Sequence, residues 1–300
     1  MDRSLLGAAA FAVAISAGPV LASDLPSRKE PPPPPYFAPA PVANWSGFYF
    51  GVNAGGTFGG GDSISAATGA LSPNVDAAAI AATGSGTGAN NFGGFVGGGE
   101  IGYNWQLAPT IVAGAEVDIQ GVAGRSGESS FWSASPGSIN PSHTFGGAVS
   151  ASQNLDSLGT VRGRIGYLAT PSLLIYATGG LAYGGAHLSS SFVGTETDGV
   201  GAQAGGEFSG VAASGARVGW TAGGGLEWMF ARNWSAKVEY LYYDLGSVSV
   251  GGPVLLYNPA TFGMGLGASQ TSAQFNGHIV RAGLNYHFHG AAPGPIVANY

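Results

Sequence analysis

Residues 278–288 read HIVRAGLNYHF, and the parity of this stretch decides the fold. His278, Val280, Ala282, Leu284, Tyr286 and Phe288 fall on one side of an extended chain, whereas Ile279, Arg281, Gly283, Asn285 and His287 fall on the other. Successive side chains of a strand point to opposite faces, so the stretch is a strand with one greasy face and one small, charged face. A soluble barrel would bury the greasy face; a membrane barrel turns it to lipid.

Seven earlier segments split the same way: 47–58, 94–106, 110–121, 156–168, 173–186, 217–230 and 234–244. Each reaches the roughly 9–11 residues that a tilted strand needs to cross a bilayer. The joins 107–109, 169–172 and 231–233 are short, while 59–93, 122–155, 187–216 and 245–275 are long. Strict alternation of short and long joins, with an even strand number, predicts an all-β fold. The expectation is an eight-stranded antiparallel up-and-down transmembrane β-barrel with short periplasmic turns and long outer loops.

The charges choose the inside. The parity opposite the aromatics collects Glu100, Glu116, Asp118, Glu227 and Glu239 with Arg162, Arg164, Arg217, Lys237 and Arg281. The other parity is almost free of charge and rich in residues such as Phe48, Phe50, Ile101, Trp105, Val161, Leu226 and Tyr240. One basic residue on the lipid face costs up to about 2–4 kcal/mol at the bilayer midplane, so the charged face must line the interior. A buried charge without a partner is strongly destabilising, and five acids among five bases predict an ion-pair network packed into the lumen. Such a core closes the barrel; the alternative is a small-solute channel, although large diffusion pores use about 16–18 strands. Trp105, Tyr167, Phe230, Trp234, Tyr286 and Phe288 cluster beside the short turns, where an interfacial aromatic belt is expected.

Composition agrees with a lipid-facing exterior. Gly is 54 of 300 residues and only 9% are charged, against roughly 25–35% on a soluble surface, yet mean hydropathy is only +0.19. Arg3, the apolar run 5–17 and the small-residue site Val20-Leu21-Ala22 predict a cleaved signal peptide over 1–22 and hence export. Residues 23–44, with the run Pro31 to Pro35, read as a Pro-rich periplasmic tether, 45–288 as the barrel and 289–300 as a tail. No segment offers a spanning helix, and the absence of Cys removes disulfide and thiol chemistry. The long joins hold Asp62, Asp76, Glu128, Glu196, Asp198 and Glu207 against the single base Arg125, which predicts a mildly acidic outer surface and argues against nucleic acid.

Catalytic, cofactor and metal sites are not expected. His143 has Ser142 beside it and Glu128 upstream, but the spacing matches no nucleophile motif. His287-x-His289 is a same-face pair without further ligands nearby, and strings such as Gly97-Gly98-Gly99 lie inside strands rather than at a strand-to-helix turn.

Several blocks carry a family resemblance: Asn44-Trp45-Ser46-Gly47-Phe48-Tyr49-Phe50-Gly51, residues 179–184 (GGLAYG), 219–227 (GWTAGGGLE), 237–246 (KVEYLYYDLG) and 280–286 (VRAGLNY). Together they resemble the outer-membrane immunogenic proteins of alphaproteobacteria, a porin-like family similar to the small OmpA-type and opacity-type barrels. The resemblance implies an eight-stranded, surface-exposed outer-membrane barrel, with haem binding attributed to some members. Arg281-x-Gly283-x-x-Tyr286-x-Phe288 also looks like the terminal signal by which the outer-membrane assembly machinery recognises a last strand, although here twelve residues follow it. Pro293 and Pro295 cannot extend a ladder, so 289–300 reads as a periplasmic tail. The expected partners are outer-membrane lipid and the assembly machinery. The expected role is structural support of the envelope with display of the outer loops; a small-solute channel, or capture of haem by His143 or His187, are the alternatives.

Overall fold

The computed structural model describes residues 44–60, 63–71, 76–89, 93–125, 127–201, 203–258 and 263–288. The signal, most of the Pro-rich tether and the C-terminal tail lie outside the described residues. Eleven strands and one helix follow in order: β1 Gly47–Phe58, β2 Ser63–Ala70, α1 Ala77–Gly84, β3 Gly86–Ala89, β4 Gly93–Ala108, β5 Ile111–Arg125, β6 Gly127–Pro136, β7 Thr144–Thr170, β8 Leu173–Thr197, β9 Gln203–Ala231, β10 Trp234–Asn258 and β11 Gly263–Phe288. Among the described residues no helix is long and apolar enough to cross a membrane; this chain crosses with strands.

Eight strands close a ring in the order β1-β4-β5-β7-β8-β9-β10-β11, every pair antiparallel. Closure comes from β1 against β11, from Phe48↔Phe288 to Phe58↔His278, so the stretch HIVRAGLNYHF is the seam of the barrel. Closing the ring satisfies the backbone groups that an open edge would leave bare in hydrocarbon.

The strands run farther than their hydropathy predicts. β9 has 29 residues and β8 has 25, well beyond the roughly 9–11 of a crossing. The segments 187–216 and 245–275 are therefore mostly strand, not loop. The segment 59–93 holds β2, α1 and β3, and 122–155 holds β6. β2 adds to the outer half of β11 and β6 to the outer half of β7. Between them sits α1, to which Ser133 of β6 is tied by its hydroxyl, donating to Thr83 O at 3.1 Å. Alternation persists through these segments, but Ser faces Ala or Gly there, and the contrast that reveals a strand by eye disappears.

Two aromatic girdles bound the lipid-facing band. Below lie Trp105, Tyr167, Phe230, Trp234, Tyr286 and Phe288; Trp234 meets Tyr286 at 5.2 Å and Tyr286 meets Phe288 at 5.1 Å between ring centroids. Above, a row that the sequence reading missed runs Phe58, His278, Tyr242, Trp220, with centroid distances of 5.9, 5.2 and 5.3 Å. Between the girdles Phe50, Val52, Ile101, Ile165, Leu226 and Val238 are all exposed. Apolar side chains ringing a barrel at one level belong in lipid, which disposes of the soluble-barrel reading.

Candidate functional site: the filled barrel interior

The interior is filled in layers. At the periplasmic end Trp45 is fully buried; its indole N–H donates to Pro171 O at 3.0 Å and its ring meets the edge of His287. Val112, Leu168, Leu174, Tyr176 and Met229 pack around it.

Above this plug lies the charged layer. Strand parity delivers Glu100 from β4, Glu116 and Asp118 from β5, Arg162 and Arg164 from β7, Glu227 from β9, Lys237 and Glu239 from β10, and Arg281 from β11. None is more than 5% exposed. Lys237 Nζ reaches Glu100 at 2.6 Å and Glu116 at 3.1 Å. Arg162 donates to Glu116, to Asp118 at 2.9 Å and to Glu239 at 3.0 Å. Arg281 donates to Glu239 at 2.6 Å and to Asp118 at 3.0 Å, and Arg164 lies 3.0 Å from Glu227. Several of these bonds cross the lumen from wall to wall, so the layer is a lattice of ties rather than a charged lining around water.

Arg217 departs from the expected set. It shares the luminal parity, but it is exposed, and no described residue pairs with it. Five acids thus face four bases in the lumen. Neutral groups that the charge count could not weigh add further bonds: Tyr49 donates to Glu116 at 2.7 Å, Tyr176 to Glu239 at 3.0 Å, Thr160 to Asp118 at 2.7 Å, Asn53 to Glu100 at 2.9 Å and Asn285 to Glu227 at 3.0 Å, while Asp118 Oδ1 and Arg162 Nε are buried without a hydrogen-bond partner. His287 Nε2 lies 3.3 Å from Glu227 Oε1. The Arg164 guanidinium sits 4.8 Å from the Tyr49 ring centroid and 5.2 Å from that of Tyr176. Tyr49 was legible in principle, because it lies between the outward Phe48 and Phe50.

Above the charges the interior turns apolar, with Leu155, Leu158, Leu188, Leu241, Leu245, Val248, Val250, Phe275 and Ile279 in one cluster. Next come hydroxyls, Ser209 to Ser269 and Thr271 to Ser190, each at 2.8 Å. The outermost layer packs Ile80 of α1 against Phe145, Val149, Phe192, Val254 and Leu256.

The outer rim holds the remaining candidates. Asp76 caps α1, accepting from Ala79 N at 3.1 Å, and also accepts from Ser138 N, Ser138 Oγ at 2.6 Å and Ile139 N at 2.9 Å. Burial alone would raise its pKa, but these bonds outweigh that and hold the carboxyl below its ordinary value. Glu207 is 7% exposed and its Oε2 has no hydrogen-bond partner. Burial, then the charge of Glu196, push it up to about 7. The expected acidic outer surface is accordingly reduced, since Asp76 and Glu207 turn inward.

The histidines are not gathered. His143 pairs with Glu196 at 2.7 Å, and His187 with Asp156 at 2.8 Å. Thr144, next to His143, pairs with Thr197, ten residues along β8 from His187, or about 30 Å at the rise of a strand. They cannot share one iron. Glu128 sits opposite Ser152, far from His143, and Ser142 Oγ donates to Asn140 at 2.7 Å. Among the described residues no three His, Cys, Asp or Glu are placed to hold a metal. Of the residues resembling an assembly signal, Arg281 enters the lumen network, and Tyr286 and Phe288 sit on the lower girdle on either side of Trp234 and Phe50.

The family model and the curated relatives agree with this architecture. The family described as "Outer membrane protein beta-barrel domain" matches residues 36–288. The chain is 34% identical to the "31 kDa outer-membrane immunogenic protein" of Brucella melitensis biotype 1, over 94% of this chain and 96% of that protein, and equally to the protein of that name from Brucella suis biovar 1. Among solved structures the outer membrane protein OprG of Pseudomonas aeruginosa aligns over 83% of this chain and 100% of its own, at 11% identity and a TM-score of 0.40.

Proposed function

The chain belongs to the outer-membrane protein β-barrel family, and from that premise we propose that it is a closed structural barrel of the outer membrane. Lipid holds it from outside, the lumen lattice holds it from within, and together they support a rigid β extension that carries the surface turns outward. The observation behind this reading is the stacking of layers: a Trp45 plug, wall-to-wall ion pairs and two apolar clusters lie in series along the barrel axis. A conducting lumen would require all of them to part.

Planar-bilayer recording of the purified chain tests the reading. The expected record shows no discrete conductance steps; reproducible steps would overturn it in favour of a small-solute channel. Haem capture is less favoured, because His143 and His187 are each engaged by a carboxylate and lie far apart. Assembly fits the same proposal: Tyr286 and Phe288 on the seam strand form the edge that the assembly machinery would read, and Phe288→Ala should lower the yield of folded barrel in cells without altering the stability of barrel refolded in detergent.

A further inference from the structure

The wall has a slit. β9 and β10 pair from Trp234↔Ala231 up to Asp244↔Trp220, and again from Leu255↔Phe208, but residues 209–219 and 245–254 between those points share no ladder. Each edge keeps its other neighbour, β9 on β8 and β10 on β11, so the two strands part locally rather than unfold. β10 leaves its line at an irregularity between Asp244 and Ser247, where Gly246 adopts φ +79°. Leu245, Val248 and Val250 then lean into the apolar interior. On the other bank residues 214–218 are exposed at five consecutive positions, which in a strand means that both faces are bare. The banks close at both ends, where Gly219 leaves no room for a side chain beside Asp244 O and Gly252 none beside Val211, but a Cβ added at Gly215 or at Gly246 would meet nothing within 4 Å, so the open part of the slit lies beside these two glycines.

Position and charge say what fits there. The slit begins directly above Trp220 and Tyr242 of the outer girdle, at the level of outer-leaflet headgroups. Arg217 stands at its mouth. Four of the other barrel bases, Arg162, Arg164, Lys237 and Arg281, are locked in the lumen, and the nearby acids are engaged elsewhere: Asp156 with His187, and Asp244 accepting from Gly246 N at 2.8 Å. A basic side chain at the interface attracts anionic headgroups, and its own parity would have buried it had the ladder continued.

We propose that the β9–β10 slit is a lateral docking site for an anionic membrane lipid, its phosphate on Arg217 and its acyl chain against Trp220. The site is distinct from the lumen and does not depend on whether the lumen conducts.

Trp220 supplies the readout. The full chain is refolded into vesicles containing brominated-chain phosphatidylglycerol or brominated-chain phosphatidylcholine, and the difference from Trp220→Phe isolates quenching at this site. Anionic lipid should be enriched about fivefold over zwitterionic lipid, the scale of one interfacial base. Arg217→Lys should keep most of the preference and Arg217→Ala should lose it. Gly215→Leu, which fills the open space while leaving Arg217, should lose it too. A brominated free fatty acid added to zwitterionic vesicles should quench Trp220 less than the brominated phosphatidylglycerol; stronger quenching by the fatty acid would assign the slit to a soluble amphiphile and overturn the proposal. Equal quenching by all three probes, or a preference that survives Arg217→Ala in barrel whose folded and boiled forms still migrate differently, would overturn the proposal.

Discussion

The two halves of the barrel are built in opposite senses from the same strands. On β10 the lower half points Lys237 and Glu239 inward and Val238 and Tyr240 outward; the upper half points Val248, Val250, Val254 and Leu256 inward and Ser249 and Gly251 outward. β8 repeats the reversal, with Ile175 and Leu181 facing out below, and Leu188 and Phe192 facing in above. β8 keeps one parity throughout, with Leu174 and Tyr176 inward below as Leu188 and Phe192 are above, whereas β10 changes its inward parity at the irregularity between Asp244 and Ser247. What changes for both strands is the medium outside: where it is hydrocarbon the apolar parity faces out and the polar groups must satisfy one another inside, and where it is water the ordinary hydrophobic arrangement returns. The crossover falls at the row Phe58, His278, Tyr242, Trp220, and the slit opens there, where neither arrangement is complete.

The sharpest way to break the comparison is to remove a luminal tie. Arg281→Met leaves Arg162 as the one guanidinium shared by Glu239 and Asp118 and should cost about 3–5 kcal/mol, read as a lowered urea midpoint for unfolding from lipid vesicles. A loss below about 1 kcal/mol would mean that the lower interior is wet and tolerant, contrary to the burial of these groups.

A matched pair on one face of β10 separates the two media. Val238→Arg lies midway between the girdles and should cost about 2–4 kcal/mol, whereas Ser249→Arg, on the same outward face beyond the crossover, should stay within about 0.5 kcal/mol. Equal effects in the same unfolding assay would place the crossover wrongly.

The smallest expected effects are pH-dependent and confined to the upper half. Asp76 has a folded pKa below its ordinary value, so its stabilisation is present above that ordinary value and lost as pH falls through the folded one. Glu207 is shifted the other way, to about 7: burial favours its neutral form, so stability is present at acid pH and lost as pH rises through about 7. Amide protection at the outer ends of β8 and β9, corrected for the intrinsic exchange rate, should therefore fall between about pH 4.5 and pH 7, and Glu207→Gln should abolish the fall. Asp76→Ala should cost about 1 kcal/mol, the worth of a helix N-cap, near neutral pH and less in acid. Corrected protection at β8 and β9 that is indifferent to pH in the parent chain would remove the role assigned to Glu207.

Legibility in the sequence followed the strength of contrast. All eight crossing segments were readable, because below the crossover each strand alternates between lipid-soluble and charged or tiny side chains. Nine of the ten luminal charges stand where parity puts them. Arg217 does not, because parity assumes an unbroken ladder, and the break at Asp244 depends on how β9 and β10 meet in space. The outer extension escaped notice for a different reason: Ser189, Ser191 and Ser249 alternate with Leu188, Ser190 and Val250 among many Gly and Ala, too weakly for a strand to stand out from a loop. α1 was equally hidden, being eight residues of mostly Ala whose helical start depends on Asp76 reaching Ser138 and Ile139, more than sixty positions away.

Parity and charge alone determined that this chain crosses a bilayer in eight strands with its charges inside, because misplacing even a few charges in hydrocarbon costs about as much as a domain's whole stability. Which carboxylate meets which base, the plug of Trp45, the filled upper storey and the slit beside Arg217 were decided only by the tertiary structure. Those features depend on side chains from strands distant in sequence arriving at the same height within a few ångströms, and periodicity along one strand carries no record of its neighbour's register.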